Sequence, residues 1–407
     1  MNRFTKQILL IANWDWVIYN FRLPLARALE NSGLKITLVC PPGDYTEELR
    51  EQGFAWMPWH LERRSTQPWR ELFSVVALYR LYRQLRPAAV HHFTIKPILY
   101  GSIAARAAKV PTVINNFTGL GYLFSQSQKA TWLRKLILPL LHWALGRDGF
   151  HTAFQSRGDR DTLVDLGLIA KQETTVIPGT GVDLDRFHPP PPFLSQDWER
   201  KGGPRGDGEG APPLVLMASR LLWDKGIAEY VEAARILHDE GLQARFWLAG
   251  APDSGNLACV PEEKIAAWRQ ESRVEFLGHC ADMPALMNQA DIAVLPSYHE
   301  GVPLFLLEAA ASGLPLVGTD IEGCRMVIEE GRNGFLVPKG DASALAAALK
   351  KMLADSDLRQ RMGRESRQIA ETNFSQEAIL EQYLAMYRKL GVLGQLTASG
   401  DQTSVGC

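Results

Sequence analysis

The sequence predicts an α/β fold with two doubly wound domains, each built on a parallel sheet. Short apolar runs alternate with longer helical patterns in both halves of the chain, as they do in βαβ units. A segment rich in proline and glycine interrupts this alternation near the middle of the chain. The length of 407 residues also fits two domains of ~100–200 residues each.

The composition indicates a globular protein, since 46% of the residues are hydrophobic and 22% are charged. No charge-free apolar stretch reaches the ~18 residues of a membrane-spanning helix. The first apolar run, residues 8–12, is too short for a signal peptide and predicts a buried strand. Five scattered cysteines without CxxC spacing favour a reducing cytosol and no structural zinc.

The first half of the chain contains six strand-like runs, at 7–12, 35–40, 88–92, 111–115, 150–154 and 174–177. Helices are predicted at 20–32, 69–86, 97–108, 128–147 and 157–166. The second half repeats the rhythm with strands at 214–218, 244–248, 273–276, 291–295, 315–317 and 334–336. Its helices are predicted at 225–240, 261–270, 303–312, 341–354, 357–371 and 375–389.

The break between the halves sets the domain limits. Four consecutive prolines at 189–192 and the run RKGGPRGDGEGAPP at 200–213 cannot lie inside a strand or helix. The predicted limits are a first domain over 1–188, a linker over 189–212, a second domain over 213–374, a C-terminal helix over 375–390 and a flexible tail over 391–407. Two such domains facing a cleft would bind ligands at the carboxyl ends of their strands.

The segment DIAVLPSYHEGVPLFLLEAAASGLPLVG, residues 291–318, carries the strongest functional signal. A strand ends near Leu295, Glu300 lies in a short loop, and Glu308 lies in the helix that Pro303 opens. A free helix N-terminus attracts phosphates, and a carboxylate can accept hydrogen bonds from two adjacent sugar hydroxyls. The alternative is a capping glutamate followed by a solvent-facing one, but the strand–loop–helix context favours function.

Two cations follow the strand at 214–218. Arg220 and Lys225 precede a predicted helix, so they would lie at a strand's carboxyl end. Such a pair can neutralise a diphosphate leaving group. The alternative is a pair of ordinary surface cations.

These segments, in this order, resemble the donor site of retaining GT-B glycosyltransferases of family four. Further matching segments are 179–183, 250–253, 276–278 and 323–325, and the likeness covers about residues 7–390. Segments 19–25, 92–97 and 118–121 resemble a subgroup that adds N-acetylhexosamine to polyprenyl-diphosphate-linked sugars. Such enzymes serve N-glycan, O-antigen and capsule pathways. The resemblance implies a GT-B fold with two Rossmann-like domains.

The resemblance also implies roles for matched residues. Glu300 would bind the donor sugar, Glu308 the nucleotide ribose, and Arg220 and Lys225 the diphosphate of a UDP-sugar. Backbone amides would add donors from three positions: Gly301, Val302 and Leu304. The acceptor side would be lined by four residues: Asn20, Arg22, His92 and Lys96.

No cofactor or metal is expected. Asp183 and Asp185 form a DxD, but they lie in a predicted turn beside the linker, and a turn role is favoured over Mg²⁺. Asn115 and Asn116 stand where many members of the family carry a histidine, so no catalytic base is assigned. The retaining chemistry of the family would proceed by front-face attack.

Charge is divided unevenly along the chain. Residues 1–190 hold 23 Lys and Arg against 15 Asp and Glu, whereas the remaining residues hold 21 against 30. The basic half predicts an anionic membrane surface as partner, with the protein on the cytoplasmic face. Helix 128–147 is a candidate contact, whereas packing on the sheet is favoured for 69–86.

The sequence therefore predicts a transferase that moves an N-acetylhexosamine, with retention, from a UDP-sugar to a lipid-linked saccharide. Two alternatives remain: a GT-B-fold nucleotide-sugar epimerase or hydrolase, and a non-catalytic sugar-binding protein. Nucleic acid is not an expected partner.

Overall fold

Apolar runs in each half of the chain form a parallel sheet. The computed structural model describes residues 5–62, 67–120, 128–146, 149–189 and 212–394, except 254 and 257. The strands of the first sheet are Thr5–Ile11 (β1), Lys35–Cys40 (β2), Ala55–Pro58 (β3), Pro87–Phe93 (β4), Thr112–Phe117 (β5), Phe150–Phe154 (β6) and Thr174–Val176 (β7). The strands of the second sheet are Leu214–Ala218 (β8), Arg245–Ala249 (β9), Glu275–Gly278 (β10), Ile292–Leu295 (β11), Leu316–Thr319 (β12) and Gly334–Val337 (β13).

Helices connect the strands, as parallel pairing requires. The helices of the first half are Asp15–Phe21 (α1), Leu23–Asn31 (α2), Thr46–Glu51 (α3), Pro68–Leu85 (α4), Ile95–Ala108 (α5), Gln128–Leu145 (α6) and Arg157–Asp165 (α7). Those of the second half are Ile227–Asp239 (α8), Glu262–Glu271 (α9), Met283–Met287 (α10), Leu304–Ala311 (α11), Glu322–Arg325 (α12), Ala342–Ala354 (α13), Ser356–Ile369 (α14) and Gln376–Lys389 (α15).

The predicted α/β class is confirmed, and the predicted long elements are present with small shifts at their ends. The sequence missed four short elements, namely β3, α3, α10 and α12. The predicted helix over 20–32 is two helices, α1 and α2, which meet at Arg22. Elements of four to six residues hold too few periodic positions for either helical or strand spacing to stand out.

The two sheets share a doubly wound order. The first runs β3-β2-β1-β4-β5-β6-β7 and the second runs β10-β9-β8-β11-β12-β13. The order therefore reverses between β1 and β4 in the first sheet, and between β8 and β11 in the second. The crevice outside the carboxyl ends of such a strand pair is where doubly wound folds bind ligands.

The chain divides into two units by its internal packing. The first unit holds the residues up to Phe154, then Asp159–Ile177, and again those from Leu380 onward. The second holds Gln155–Gly158 and Pro178–Ile379. The change after Ile177 comes ahead of the predicted limit at 188. Most of the predicted linker, residues 190–211, and most of the predicted tail, residues 395–407, lie outside the described residues.

The C-terminal helix α15 belongs to the first unit from Leu380 onward. Its Tyr383 and Tyr387 side chains are buried. The Tyr383 hydroxyl donates to Asn116 Oδ1 over 3.0 Å, and the Tyr387 hydroxyl lies 2.7 Å from His91 Nδ1. These bonds reach β4 and β5, so the helix supplies polar partners to the central strands.

Candidate functional site

Two loops meet at the switch point of the second sheet. One, residues 219–226, follows β8 and contains a 3₁₀ turn, Trp223–Lys225. The other, residues 296–303, follows β11 and leads into α11. Because β8 and β11 pair directly, with Ile292 opposite Val215, the two loops leave the sheet side by side. The predicted donor residues all lie on these loops or on α11.

Backbone contacts tie the two loops together. Asp224 supplies the shared acceptor, since its carbonyl oxygen accepts from the amide of Tyr298 over 2.8 Å and from the hydroxyl of Ser297 over 3.2 Å. Gly226 has a φ of +73°, and a Cβ there would lie 2.1 Å from the carbonyl oxygen of Pro296. Only glycine satisfies both the positive φ and this close approach. The loop carrying Glu300 is therefore held against the loop carrying Lys225.

Lys225 and Glu300 form an ion pair. The Nζ atom lies 2.7 Å from Oε1, and each side chain is 15% exposed. Both groups are largely withdrawn from water. An ion pair is stronger in such a shielded environment than at the surface. The structure thus joins two residues that are far apart in sequence, and leaves each with enough exposure to meet a ligand.

Arg220 occupies a different environment. Its side chain is 60% exposed, and Nη1 donates to Asp253 Oδ2 over 2.8 Å. Asp253 belongs to the loop after β9, the next strand in the sheet. The two residues predicted to bind the diphosphate therefore form ion pairs with different carboxylates. Lys225 pairs with Glu300, and Arg220 pairs with Asp253.

Glu308 lies within α11, where its side chain is partly buried. Burial raises the pKa of its carboxyl group to about 8, against a smaller opposing effect from Arg186. The side chain is therefore largely protonated at pH 7 without ligand, and it can both donate and accept hydrogen bonds. A ligand whose hydroxyl groups donate hydrogen bonds to this carboxyl group would favour the carboxylate form.

The start of α11 offers backbone donors. Pro303 is its N-cap and makes no side-chain capping bond. The first N–H groups of a helix have no acceptor within the helix, so the amide of Leu304 is available to a ligand. Gly301 and Val302 precede the helix and lie beside the Lys225–Glu300 pair in the chain. Gly323 packs behind them, because a Cβ there would lie 2.1 Å from the carbonyl oxygen of Gly301.

A second hydrogen bond fixes the Glu300 loop from behind. The Tyr298 hydroxyl donates to Glu229 Oε1 over 2.6 Å, and this bond and burial raise the pKa of Tyr298 to about 12. No role is predicted from the sequence for Tyr298, Glu229 or Asp224. Their types give no catalytic signal, and only the fold brings α8 beside this loop.

The predicted acceptor residues have mixed surroundings in the first unit. Asn20 is exposed and donates to the carbonyl oxygen of Trp16 over 3.0 Å. Lys96 lies 3.0 Å from Glu71 Oε1 and 2.9 Å from the carbonyl oxygen of Glu62. These two side chains lie at or near the surface, and their acceptor role stays a prediction.

His92 lies in the core. Its side chain is fully buried, with Nε2 2.9 Å from the Tyr82 hydroxyl and Nδ1 2.8 Å from Asn115 Oδ1. Burial lowers the pKa of His92 to about 4, so the ring is neutral at pH 7. A Cβ at Gly101 would lie 2.2 Å from Nε2, which shows how closely α5 covers the ring. Its predicted place on the acceptor side therefore lacks support, since both nitrogens already have partners in the core.

Arg22 is buried beside the other face of β4. Its guanidinium lies 4.3 Å from the centre of the Phe93 ring and 3.4 Å from the Tyr383 hydroxyl. Three buried atoms here have no hydrogen-bond partner among the described residues: Arg22 Nε, His91 Nε2 and Asn116 Nδ2. Burial first, and Arg22 second, hold the pKa of His91 well below its usual range. Among the described residues, no carboxylate forms an ion pair with Arg22 in this polar region.

The DxD motif forms a turn. Asp183 Oδ1 accepts from the amides of Asp185 and Arg186 over 3.0 and 2.9 Å. This is the local side-chain-to-backbone pattern of an aspartate in a turn. Over the described ranges, no group of three or more His, Cys, Asp and Glu side chains is arranged to hold a metal ion.

Two family models match the chain. Residues 7–147 match the model described as Glycosyl transferase 4-like, and residues 206–369 match the one described as Glycosyl transferases group 1. The chain is a glycosyltransferase. The family resemblance inferred from the motifs is therefore confirmed, and the two matches fall on the two halves of this glycosyltransferase.

Two relatives of similar length extend the comparison. An N,N'-diacetylbacillosaminyl-diphospho-undecaprenol alpha-1,3-N-acetylgalactosaminyltransferase of Campylobacter jejuni is 28% identical over 374 residues, which are 92% of this chain and 96% of the relative. A UDP-Gal:alpha-D-GlcNAc-diphosphoundecaprenol alpha-1,3-galactosyltransferase of Escherichia coli is 26% identical over 335 residues, 81% of this chain and 83% of the relative.

Solved structures share the fold at low identity. A glycosyltransferase from Rickettsia africae ESF-5 matches with a TM-score of 0.73 and 20% identity, over 96% of this chain and 99% of that one. Anabaena HepE, solved in complex with UDP, matches with a TM-score of 0.72 and 20% identity, over 94% and 100%. The predicted GT-B fold with two Rossmann-like domains is confirmed. Among the helices that the structure describes, none has the length and apolarity to cross a bilayer.

Proposed function

We propose that this glycosyltransferase moves an N-acetylhexosamine, with retention, from a UDP-sugar to a saccharide carried on polyprenyl diphosphate. The observation that carries the donor half is the Lys225–Glu300 ion pair at the switch point of the second sheet, next to Glu308 and a free helix N-terminus. The acceptor half is supported by the two relatives, whose names specify diphospho-undecaprenol-linked sugars.

Each donor-site group has a distinct task in this proposal. Glu308 accepts hydrogen bonds from the ribose hydroxyls, which favours its ionised form. Glu300 accepts from hydroxyls of the transferred sugar. Lys225 forms a hydrogen bond with Glu300, so it lies beside the group that holds the transferred sugar. From there it stabilises the charge that develops on the departing diphosphate. Arg220 and the amides of Gly301, Val302 and Leu304 add further positive potential.

The reaction is a front-face substitution. The bond between the anomeric carbon and the diphosphate oxygen breaks, and the acceptor oxygen bonds to the same face of that carbon. The acceptor hydroxyl proton passes to the departing diphosphate oxygen, so no separate protein base is needed. No metal is required, because Lys225, Arg220 and the helix N-terminus provide the positive charge.

The proposed acceptor is anchored in a bilayer, so the enzyme works at the cytoplasmic membrane surface. The excess of basic residues in the first half supports attraction to anionic headgroups. Binding of this kind is peripheral and weakens as salt screens the charges.

A donor panel with mass detection tests the proposed reaction. Purified enzyme is incubated with UDP-sugars, with and without an undecaprenyl-diphosphate-linked sugar. We expect acceptor mass to increase by one N-acetylhexosamine and UDP to appear only when acceptor is present. Free sugar or an epimer formed without acceptor would favour the hydrolase or epimerase alternative. UDP-sugar binding with no turnover on any acceptor would favour a binding protein.

A further inference from the structure

Helix α4 exposes a cluster of large apolar side chains. Trp69, Leu72 and Phe73 are 60%, 63% and 72% exposed, the highest values for large apolar side chains in the part of the chain that the structure describes. Their spacing of three and four residues places them on one helical face. The opposite face packs on the sheet through Leu78 and Tyr82, both buried. The cluster is therefore not core left partly uncovered but an outward face.

The same outward face becomes basic toward the helix C-terminus. Arg80 and Arg83 are exposed and continue the helical spacing from the apolar cluster. The one acidic residue of α4, Glu71, is turned inward, with its side chain 16% exposed and paired with Lys96. The outward face therefore presents apolar groups followed by guanidinium groups, and no carboxylate of its own helix.

The apolar cluster borders a cavity at the ligand-binding edge of the first sheet. The cavity holds about 380 Å³ and is lined by residues that include Pro41, His60, Leu61, Arg70 and Phe73. These residues follow the carboxyl ends of β2 and β3 or lie in the first turns of α4. Phe73 belongs to both the cavity wall and the exposed cluster. The one carboxylate here, Glu62, forms an ion pair with Arg70.

We propose that this face of α4 docks the first unit on an anionic lipid bilayer. Trp69, Leu72 and Phe73 enter the headgroup–acyl boundary, and Arg80 and Arg83 bind lipid phosphates. Interfacial helices combine aromatic and aliphatic side chains with flanking cations in this way. Two guanidinium groups without a neighbouring carboxylate on the face complement a negative surface. Exposed apolar clusters mark such interaction sites on soluble domains.

This inference rests on the proposed function, because a lipid-linked acceptor supplies the reason to approach a bilayer. It also changes the assignment made from sequence, which favoured sheet packing for 69–86 and kept 128–147 as a candidate membrane contact. In α6, Leu140 and Trp143 are 42% and 47% exposed, but the Arg106 guanidinium covers the Trp143 ring at 4.6 Å. Side chains at 128–136 lie outside the described residues.

Vesicle co-sedimentation of the full chain tests the proposal. Phosphatidylcholine vesicles with and without phosphatidylglycerol are compared at low and high salt. The test variant combines Trp69→Ser, Leu72→Ser and Phe73→Ser, and the matched control combines Leu140→Ser and Trp143→Ser. We expect wild type to bind the anionic vesicles, the test variant to lose about tenfold or more in affinity, and the control to change less than about twofold. Arg80→Gln with Arg83→Gln should reduce the salt dependence.

Two further measurements separate this proposal from the catalytic one. Turnover of a Trp69→Ser, Leu72→Ser double variant, which leaves the cavity wall intact, should equal that of wild type on a short-chain, water-soluble acceptor. The melting temperature of the triple variant should be unchanged. Wild type that stays in the supernatant with anionic vesicles, or a triple variant that binds as wild type does, overturns the proposal while leaving the transferase assay intact. Full vesicle binding combined with a shift from dimer to monomer in the variant would assign the face to a second copy instead.

Discussion

The two switch points hold their polar groups in opposite ways. At the second sheet, Lys225 and Glu300 form a charge-compensated pair that keeps partial exposure to solvent. At the first sheet, Arg22, His91 and Asn116 are buried, and each carries an atom without a partner among the described residues. The partly exposed pair at the second sheet can meet a charged ligand. The buried groups at the first sheet mainly hold strands and a helix in place. Sequence motifs therefore point more directly to function in the second unit than in the first.

The largest expected effect is on the donor ion pair. Lys225→Ala should cost about 2–4 kcal/mol of transition-state stabilisation, because it removes a shielded positive charge from the leaving group and leaves Glu300 unpaired. Arg220→Ala should cost less, because Arg220 is 60% exposed and solvent already screens its charge. Values of kcat/KM for both variants measure this. Equal losses in the two variants would remove the distinction between shielded and exposed cations.

A substitution near the switch point of the first sheet should lower the free energy of unfolding. His92→Ala should destabilise the fold by about 2–4 kcal/mol at neutral pH, because it opens a cavity and leaves Tyr82 and Asn115 without their partner. The pKa of His92 is lowered to about 4, so its contribution is present above pH 6.5 and is lost as pH falls toward 4. The loss should therefore be smaller at pH 4.5 than at pH 7. Denaturant melts at both pH values check this, and a raised acceptor KM with unchanged stability would restore His92 to the acceptor site.

The two glutamates of the second unit should separate binding from turnover. Glu308→Ala should weaken UDP itself, since its proposed partner is the ribose. Glu300→Ala should lower turnover but leave UDP binding intact, because its proposed partner is the transferred sugar and its removal frees Lys225. Calorimetry with UDP compares the two variants. Unchanged UDP affinity in both would contradict the ribose assignment.

Glu308 should also make the second unit sensitive to alkali, opposite to His92. Its folded-state pKa is about 8, so between pH 4.5 and 8 the folded protein binds more protons than the unfolded chain does. Stability then falls as pH rises through this range. Glu308→Gln should remove that fall, so the variant gains on wild type from pH 5 to pH 8.5. Melting curves of wild type and the Glu308→Gln variant, recorded without ligand across this pH range, check the prediction. A stability difference that stays constant with pH would contradict the raised pKa of Glu308.

The smallest expected effect is that of metal removal. EDTA should leave the rate of transfer essentially unchanged, since the proposed mechanism uses cationic side chains and the start of α11 in place of Mg²⁺. The aspartates of the DxD already serve the turn, with Asp183 bonded to two backbone amides. Rates measured before and after dialysis against EDTA decide the matter. Loss of activity that Mn²⁺ restores would bring Asp183 and Asp185 back as ligands.

The limits of β2 and β8 match their predicted limits because each strand is a mainly apolar run with a turn-forming or polar segment after it. The sequence also placed Glu300, Arg220 and Lys225 near strand ends, and Glu308 in the helix that follows. The sequence could not show that Lys225 forms an ion pair with Glu300 and Arg220 with Asp253. This pairing depends on which strands are neighbours in the sheet.

The acceptor side was harder to predict because adjacent residues of a strand face opposite layers. His91 meets Tyr387 of the C-terminal helix, and His92 meets Tyr82 of α4. Nothing in the local residue pattern indicated that both layers would bury their histidine. Partners that lie almost three hundred positions apart leave no local pattern.

The return of the C-terminal helix makes the second unit an insertion into the first. The residues that supply hydroxyl groups to His91 and Asn116 come after the whole second unit in the chain. During synthesis, a ribosome must therefore finish the second unit before it has made Tyr383 and Tyr387. Until then the central strands of the first unit lack these hydroxyl partners, whereas both pieces of the second unit, Gln155–Gly158 and Pro178–Ile379, have already been made. The order of translation thus favours completion of the second unit before the unit that encloses it in sequence.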